Sequence, residues 1–330
     1  MTLVLPPHLK LANVPTKIEK LEKLSDKLGG PEIYVKRDDQ TGTEWTGNKV
    51  RKLEFLVKEA LNKGCDYLIT CGGIQSNHCR ATAAVAVKMG LKVCLVLRGS
   101  SSEPVEGNLF LDKLLGADVV FISADDYSQR RNEIMEEIAE KKMRDGLKPY
   151  IIPEGASNGL GALGYYRTME EIVHQEQKMK LNFNAIVVAV GSGGTYAGLA
   201  LGKKDLDYKG TVYGVNVAAD AAYFEQVIRN IFDESCELLD SNYKLGANDV
   251  NIIDGYVGRG YALSTAEELA FITGLARLEG LILDNVYTGK AMYGLAGEIA
   301  KGRFKKSEKV LFIHTGGMFE LFSQMRFFEV

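Results

Sequence analysis

Apolar positions along this chain follow two alternating patterns. Between 50 and 62 they recur at Val50, Leu53, Leu56, Val57, Ala60 and Leu61, the spacing of one helix face. From Ala185 to Val190 they run without a break, as in a strand covered on both faces. The same reading predicts strands at 66–70, 92–97, 119–122, 147–152, 212–217 and 310–313. It predicts helices ending near Met89 and Leu115, one from about 127 to 142, one from near Gly161, and one over 266–278. Strands alternating with helices imply an α/β class built on parallel sheets. No fixed-period repeat is present. The expected division is a smaller α/β domain at 50–160 and a larger one built from 1–49 and 161–330.

Three predicted strands run into glycine loops: Gly72-Gly73-Ile74-Gln75-Ser76-Asn77-His78, Gly191-Ser192-Gly193-Gly194-Thr195, and His314-Thr315-Gly316-Gly317. A strand, a glycine turn and a helix start make an anion site, because backbone N–H groups and the helix dipole face the same point. The second loop is not a dinucleotide fingerprint, since Tyr196 stands where Gly or Ala is needed. No Gly-Lys-Ser/Thr P-loop is present. In parallel sheets ligands sit at the carboxyl ends of strands, where these loops fall. Lys49 follows Thr46-Gly47-Asn48 and opens the helical run at 50–62. The positive end of a helix dipole disfavours a cation, so a partly buried lysine there sheds its proton more readily and becomes an amine nucleophile.

Composition narrows the function classes. A chain of 330 residues buries about three quarters of its unfolded surface. The formal charge of −3 is small and the charges are mixed, with no basic stripe for nucleic acid. Apolar runs are strand-sized, far short of a membrane span. Pro6, Pro7, His8 and Lys10 interrupt any signal-peptide pattern. Five scattered cysteines, at 65, 71, 79, 94 and 236, read as reduced thiols, and a cytoplasmic location is expected. No spacing of Cys, His and acids suggests a metal site.

Taken in order, Gly47-Asn48-Lys49-Val50-Arg51-Lys52-Leu53, the Gly72–His78 loop, the Gly191–Thr195 loop and His314–Gly317 resemble the pyridoxal-phosphate (PLP) enzymes of the tryptophan-synthase-β fold type. Within them the chain is similar to the D-cysteine desulfhydrase and 1-aminocyclopropane-1-carboxylate (ACC) deaminase group. The resemblance runs from Arg37-Asp38-Asp39 to the last glycine loop. It implies two parallel-sheet α/β domains, the larger one binding PLP, and a homodimer. It implies that Lys49 carries the cofactor and then acts as general base. It assigns the cofactor phosphate to Gly191, Ser192, Gly193, Gly194 and Thr195, and the ring hydroxyl to Asn77, although Ser76 or Asn77 would equally suit a plain helix N-cap.

Gln75, Ser76, Asn77 and His78 correspond to substrate-binding positions, with Ser76 also a catalytic hydroxyl. Tyr261 and Tyr287 correspond to active-site tyrosines. Thr288 and Thr315 stand where ACC deaminases carry Glu and Leu, so no carboxylate is expected opposite the pyridine nitrogen. That pattern favours elimination from D-cysteine, giving pyruvate, sulfide and ammonia. ACC deamination, a lyase for another β-substituted amino acid such as L-cysteate, and a non-catalytic ligand-binding module are the alternatives. The expected partner is a small amino-acid substrate, with no nucleic acid and no membrane.

Overall fold

A computed structural model describes residues 3–328. The chain opens with β1 (Ile18–Lys20), α1 (Glu22–Leu28) and β2 (Glu32–Lys36). Then come α2 (Lys49–Asn62), β3 (Tyr67–Gly73), α3 (Asn77–Lys88), β4 (Lys92–Arg98) and α4 (Gly107–Leu114). β5 (Asp118–Ile122), α5 (Ala124–Arg144) and β6 (Pro149–Ile151) follow. The remainder holds α6 (Gly159–Met179), β7 (Ala185–Val190), α7 (Gly194–Asp205), β8 (Thr211–Asn216), α8 (Ala221–Leu238) and β9 (Asn251–Ile253). It closes with α9 (Ala266–Glu279), α10 (Thr288–Ala300), β10 (Lys309–Ile313) and α11 (Met318–Leu321).

The strands form two sheets. One has the order β5-β4-β3-β6 and is parallel throughout. The other has the order β1-β2-β10-β7-β8-β9. The parallel sheets expected from the sequence are present, with one exception at an edge, where β1 runs antiparallel to β2. The reason is local: only α1 joins the two strands, and a parallel return needs a longer crossover. The remaining pairs in this sheet are parallel. Central strands such as β7 and β10 are almost wholly buried, which explains their unbroken apolar runs. We propose the four-stranded sheet as the centre of the smaller domain, with boundaries near 50 and 160.

Helix α2 carries the candidate lysine, and two features fix its place. Its apolar face, including Val50, Leu53, Leu56, Val57 and Ala60, is buried in the core beneath the four-stranded sheet. Each buried Val or Leu of this face contributes roughly 1.5–3 kcal/mol. On another face Gly164 of α6 lets the two helices approach closely, as a Cβ there would lie 2.4 Å from the Arg51 carbonyl oxygen. Arg51 itself pairs with Asp38 at 2.9 Å and Glu171 at 2.7 Å, so its buried charge is matched.

Candidate active site

The carboxyl ends of both sheets face one cavity. It is lined by Asn48, Lys49, Gly72, Gly73, Ser76, Asn77, His78, Glu154, Gly191, Ser192, Gly193, Thr195, Tyr261, Tyr287, Thr315 and Gly316, with a few further residues. Eleven of the fourteen residues singled out in the sequence therefore meet here: Lys49, Ser76, Asn77, His78, Gly191, Ser192, Gly193, Thr195, Tyr261, Tyr287 and Thr315. Gln75, Gly194 and Thr288 are not in the lining. The Gln75 amide is spent on the start of α4, donating to the Glu106 carbonyl at 3.1 Å and accepting from the Asn108 N–H at 2.8 Å. Gly194 is the first residue of α7, just behind the loop. The Thr288 hydroxyl is fully buried and donates to the Asp284 carboxylate.

Lys49 opens α2, with Asn48 before it. Asn48 also donates to the Thr195 hydroxyl at 3.0 Å, joining the start of α2 to the start of α7. Burial lowers the Lys49 amine to about 8, opposed by the attraction of Glu154. One turn later on the same helix, Lys52 is fully buried. It donates to the Gly155 carbonyl at 3.2 Å and the Ser157 hydroxyl at 3.1 Å. Ser157 in turn shares a hydrogen bond of 2.9 Å with Ser192 of the glycine loop. Burial, aided by the nearby Lys49, drives the Lys52 amine well below the usual lysine value. Lys52 was not singled out from the sequence, although its i, i+3 relation to Lys49 puts both on one helix side.

The loop from Gly191 to Thr195 has the shape of an anion cradle. Gly193 has φ +81° and caps α7, leaving the first N–H groups of that helix without intrahelical partners. Lys52 lies behind it: a Cβ at Gly194 would sit 3.0 Å from its Nζ. Helix dipole, free amides and a nearby amine point to one phosphate.

The first glycine loop settles the choice of N-cap. Ser76 caps α3, its hydroxyl accepting from the Cys79 N–H at 3.2 Å, which leaves the Asn77 amide to bond elsewhere. His78 is buried, with Nε2 2.7 Å from the Thr70 hydroxyl. Thr70 donates to the Ile152 carbonyl at 2.8 Å, so it accepts from His78 Nε2–H. His78 Nδ1 is left as a buried acceptor without a partner at the cavity wall. Burial and the amines of Lys49 and Lys52 hold the ring well below the usual histidine value, so it stays neutral.

The hydroxyls of Tyr261 and Tyr287, also in the lining, hydrogen-bond to each other. Burial pushes both phenols well above the usual tyrosine range, which makes them proton donors rather than bases. Tyr287 precedes α10, where Asp284 collects the N–H groups of Val286 at 2.8 Å and Thr288 at 2.9 Å, and that of Tyr287 itself. Lys290 donates to the carbonyls of Val257, Gly260 and Leu263 at 2.6, 2.8 and 3.0 Å, clamping the loop that carries Tyr261. Asp284 and Lys290 escaped the sequence reading because a charged residue at a helix start gives no sign of burial.

These groups fit pyridoxal phosphate. An amine of low pKa faces the cavity, an N–H cradle is ready for the phosphate, and an orphaned buried nitrogen stands on the wall. Among the described residues no cluster of His, Cys, Asp or Glu suits a metal ion, and no helix is long and apolar enough to cross a membrane.

Comparison with known proteins agrees. The family model described as pyridoxal-phosphate dependent enzyme matches residues 9–316. A putative 1-aminocyclopropane-1-carboxylate deaminase of Thermotoga maritima is 46% identical over 325 residues, covering 97% of this chain and 99% of the relative. A D-cysteine desulfhydrase of Yersinia enterocolitica is 42% identical over 322 residues, covering 96% of each chain. The crystal structure of an ACC deaminase homologue superposes with a TM-score of 0.89 at 40% identity, covering 97% of this chain and 94% of the other. The chain belongs to the pyridoxal-phosphate-dependent enzymes of fold type II, and among them to the ACC deaminase and D-cysteine desulfhydrase family.

Proposed function

We propose that the protein catalyses α,β-elimination of D-cysteine with water to pyruvate, hydrogen sulfide and ammonia. The observation that carries this reading is that Lys49, the glycine cradle and the Tyr261–Tyr287 pair line one cavity. Bound PLP supplies an electron sink for the charge that builds at Cα. Lys49 anchors the cofactor and, once free, takes the Cα proton, a role for which an amine near pKa 8 is suited. The protonated tyrosine pair donates to the departing sulfur. Ser76 binds the substrate carboxylate, and Asn77 meets either the cofactor's ring oxygen or that carboxylate. The Gly191–Thr195 amides hold the phosphate, with the Lys52 amine close behind the loop.

The substrate preference rests on Thr288 and Thr315. Thr315 lines the cavity and offers a neutral hydroxyl, and Thr288 is committed to Asp284. Neither can form the ion pair that keeps a pyridinium fully charged. A weaker electron sink suffices to expel a thiol from Cβ, whereas opening a cyclopropane ring demands more. ACC remains the second reading because the Thermotoga relative bears that name. Side-by-side assays on D-cysteine, L-cysteine, L-cysteate and ACC decide. Sulfide and pyruvate from D-cysteine with little 2-oxobutyrate from ACC are expected. Preferential turnover of ACC contradicts the role given to the threonines, and preferential turnover of cysteate rejects the named substrate.

Lys49 also sets a pH dependence. Only a neutral Lys49 amine would be nucleophilic toward the cofactor, and the amine is neutral above about pH 8. Uptake of PLP by the stripped protein should quicken about tenfold per pH unit below 8 and level off above it. Rapid-mixing measurements of the visible band between pH 6 and 9 check this. A flat profile contradicts the lowered amine.

A further inference from the structure

Outside the groups used above, a chain of buried polar side chains runs behind the first glycine loop: Arg80, Asn108, Asn77 and Glu320. Its direction is fixed by its donor-only end. Arg80 Nε donates to Asn108 at 3.1 Å, and a guanidinium has no acceptor, so the atom it meets is the amide oxygen. The Asn108 amide nitrogen then faces the Gln75 carbonyl at 2.8 Å and the Asn77 side chain at 2.9 Å. Both of its protons are used, so Asn77 presents its oxygen to Asn108. The Asn77 nitrogen therefore points the other way, donating to Glu320 Oε2 at 2.8 Å. One amide N–H of Asn77 remains, and Asn77 lines the cavity.

We propose that Glu320 is a positioning residue: with Asn108 it locks the Asn77 carboxamide so that a donor, never an acceptor, faces the cavity. The locked donor is matched to an oxyanion, either the cofactor's ring oxygen or the substrate carboxylate. This deepens the reading above and rests on Asn77 as a contact of that site. Glu320 lies in α11, 243 positions along the chain from Asn77, so a distant segment of the chain braces Asn77. Three observations agree. Arg80, Asn108 and Glu320 are each almost wholly buried, as a lock shielded from water requires. Arg80 also donates to the carbonyls of Glu44 at 2.6 Å and Thr46 at 3.2 Å, tying the lock to the loop that leads into Lys49. Burial, with Asp284 nearby, pushes the Glu320 carboxyl well above the usual carboxylate range.

The test compares E320L, E320Q, N108D and N77A, reconstituted with PLP. PLP affinity and the visible band are read without substrate, and kcat and KM are read with D-cysteine. If the anion is the ring oxygen, E320L lowers cofactor affinity roughly tenfold and shifts the band. If it is the substrate carboxylate, the band holds and KM rises roughly tenfold with kcat little changed. Either result supports the lock. E320Q keeps a carbonyl acceptor for Asn77 and recovers most of the loss. N108D keeps the acceptor for Arg80 but removes the donor to Asn77, and is expected to shift the same readout as E320L; it carries the test should E320L fail to fold. Affinity, band and KM matching the parent in the folded E320L and N108D proteins, while N77A is impaired, overturn the lock. If N77A also matches the parent, the assignment of Asn77 falls and the lock with it.

Discussion

Lys49→Ala should abolish pyruvate release from D-cysteine, lowering turnover by roughly four orders of magnitude, the upper end of what a positioned base contributes. The protein should still fold, because the Lys49 side chain points into a cavity rather than into packing. Apolar burial along Val50, Leu53 and Leu56 holds α2 in place without it. PLP should still bind weakly through the phosphate cradle, without the visible band of the lysine-bound form. Lys52→Met serves as the contrast. It should weaken cofactor binding while leaving that band, because the Lys52 amine is engaged with Gly155 and Ser157. Pyruvate assays and absorption spectra of the two variants read this directly. Unchanged turnover in the Ala variant would remove the basis of the mechanism.

Gly193→Asp should weaken PLP binding by about a thousandfold. Two like charges 4 Å apart at an effective dielectric near 20 repel by about 4 kcal/mol, which sets that scale. The position carries a second cost. Its φ of +81° is a glycine conformation, and a Cβ there would lie 2.9 Å from Val227 Cγ1. Strain of this kind costs on the order of 1–3 kcal/mol and lowers the melting temperature. Gly193→Ala bears the same strain and crowding without the charge. The affinity difference between the Asp and Ala variants, measured by PLP titration, isolates the repulsion. Equal affinities would show the loop to be a structural turn.

Local chemistry decided what the sequence made legible. The run from Ala185 to Val190 matches β7 residue for residue, because a strand buried on both faces has no polar position to blur its ends. The start of α2 at Lys49 was readable from helical spacing directly after a glycine turn. Helix α8 went unread although Phe224, Ile228, Ile231 and Phe232 bury one face at helical spacing, so that signal was present in the residues. Strand β1 is three residues long and has no such signal. At the site, consecutive residues of one motif point in different directions. Ser76, Asn77 and His78 line the cavity, but Gln75 turns to α4 and Thr288 to Asp284. Lys52, Arg80, Asp284, Lys290 and Glu320 were out of reach. Charged side chains read locally as solvated, and their buried partners lie 27 to 243 residues away for Lys290, Arg80, Lys52 and Glu320.

Two amines of depressed pKa stand one helical turn apart, so the central claim reduces to which of them carries the cofactor. Reduction of the PLP-loaded protein with borohydride, followed by proteolysis and mass measurement of the peptides, answers that. The account predicts one pyridoxyl group per chain, on Lys49. A pyridoxyl group on Lys52, or none on either lysine, would contradict it.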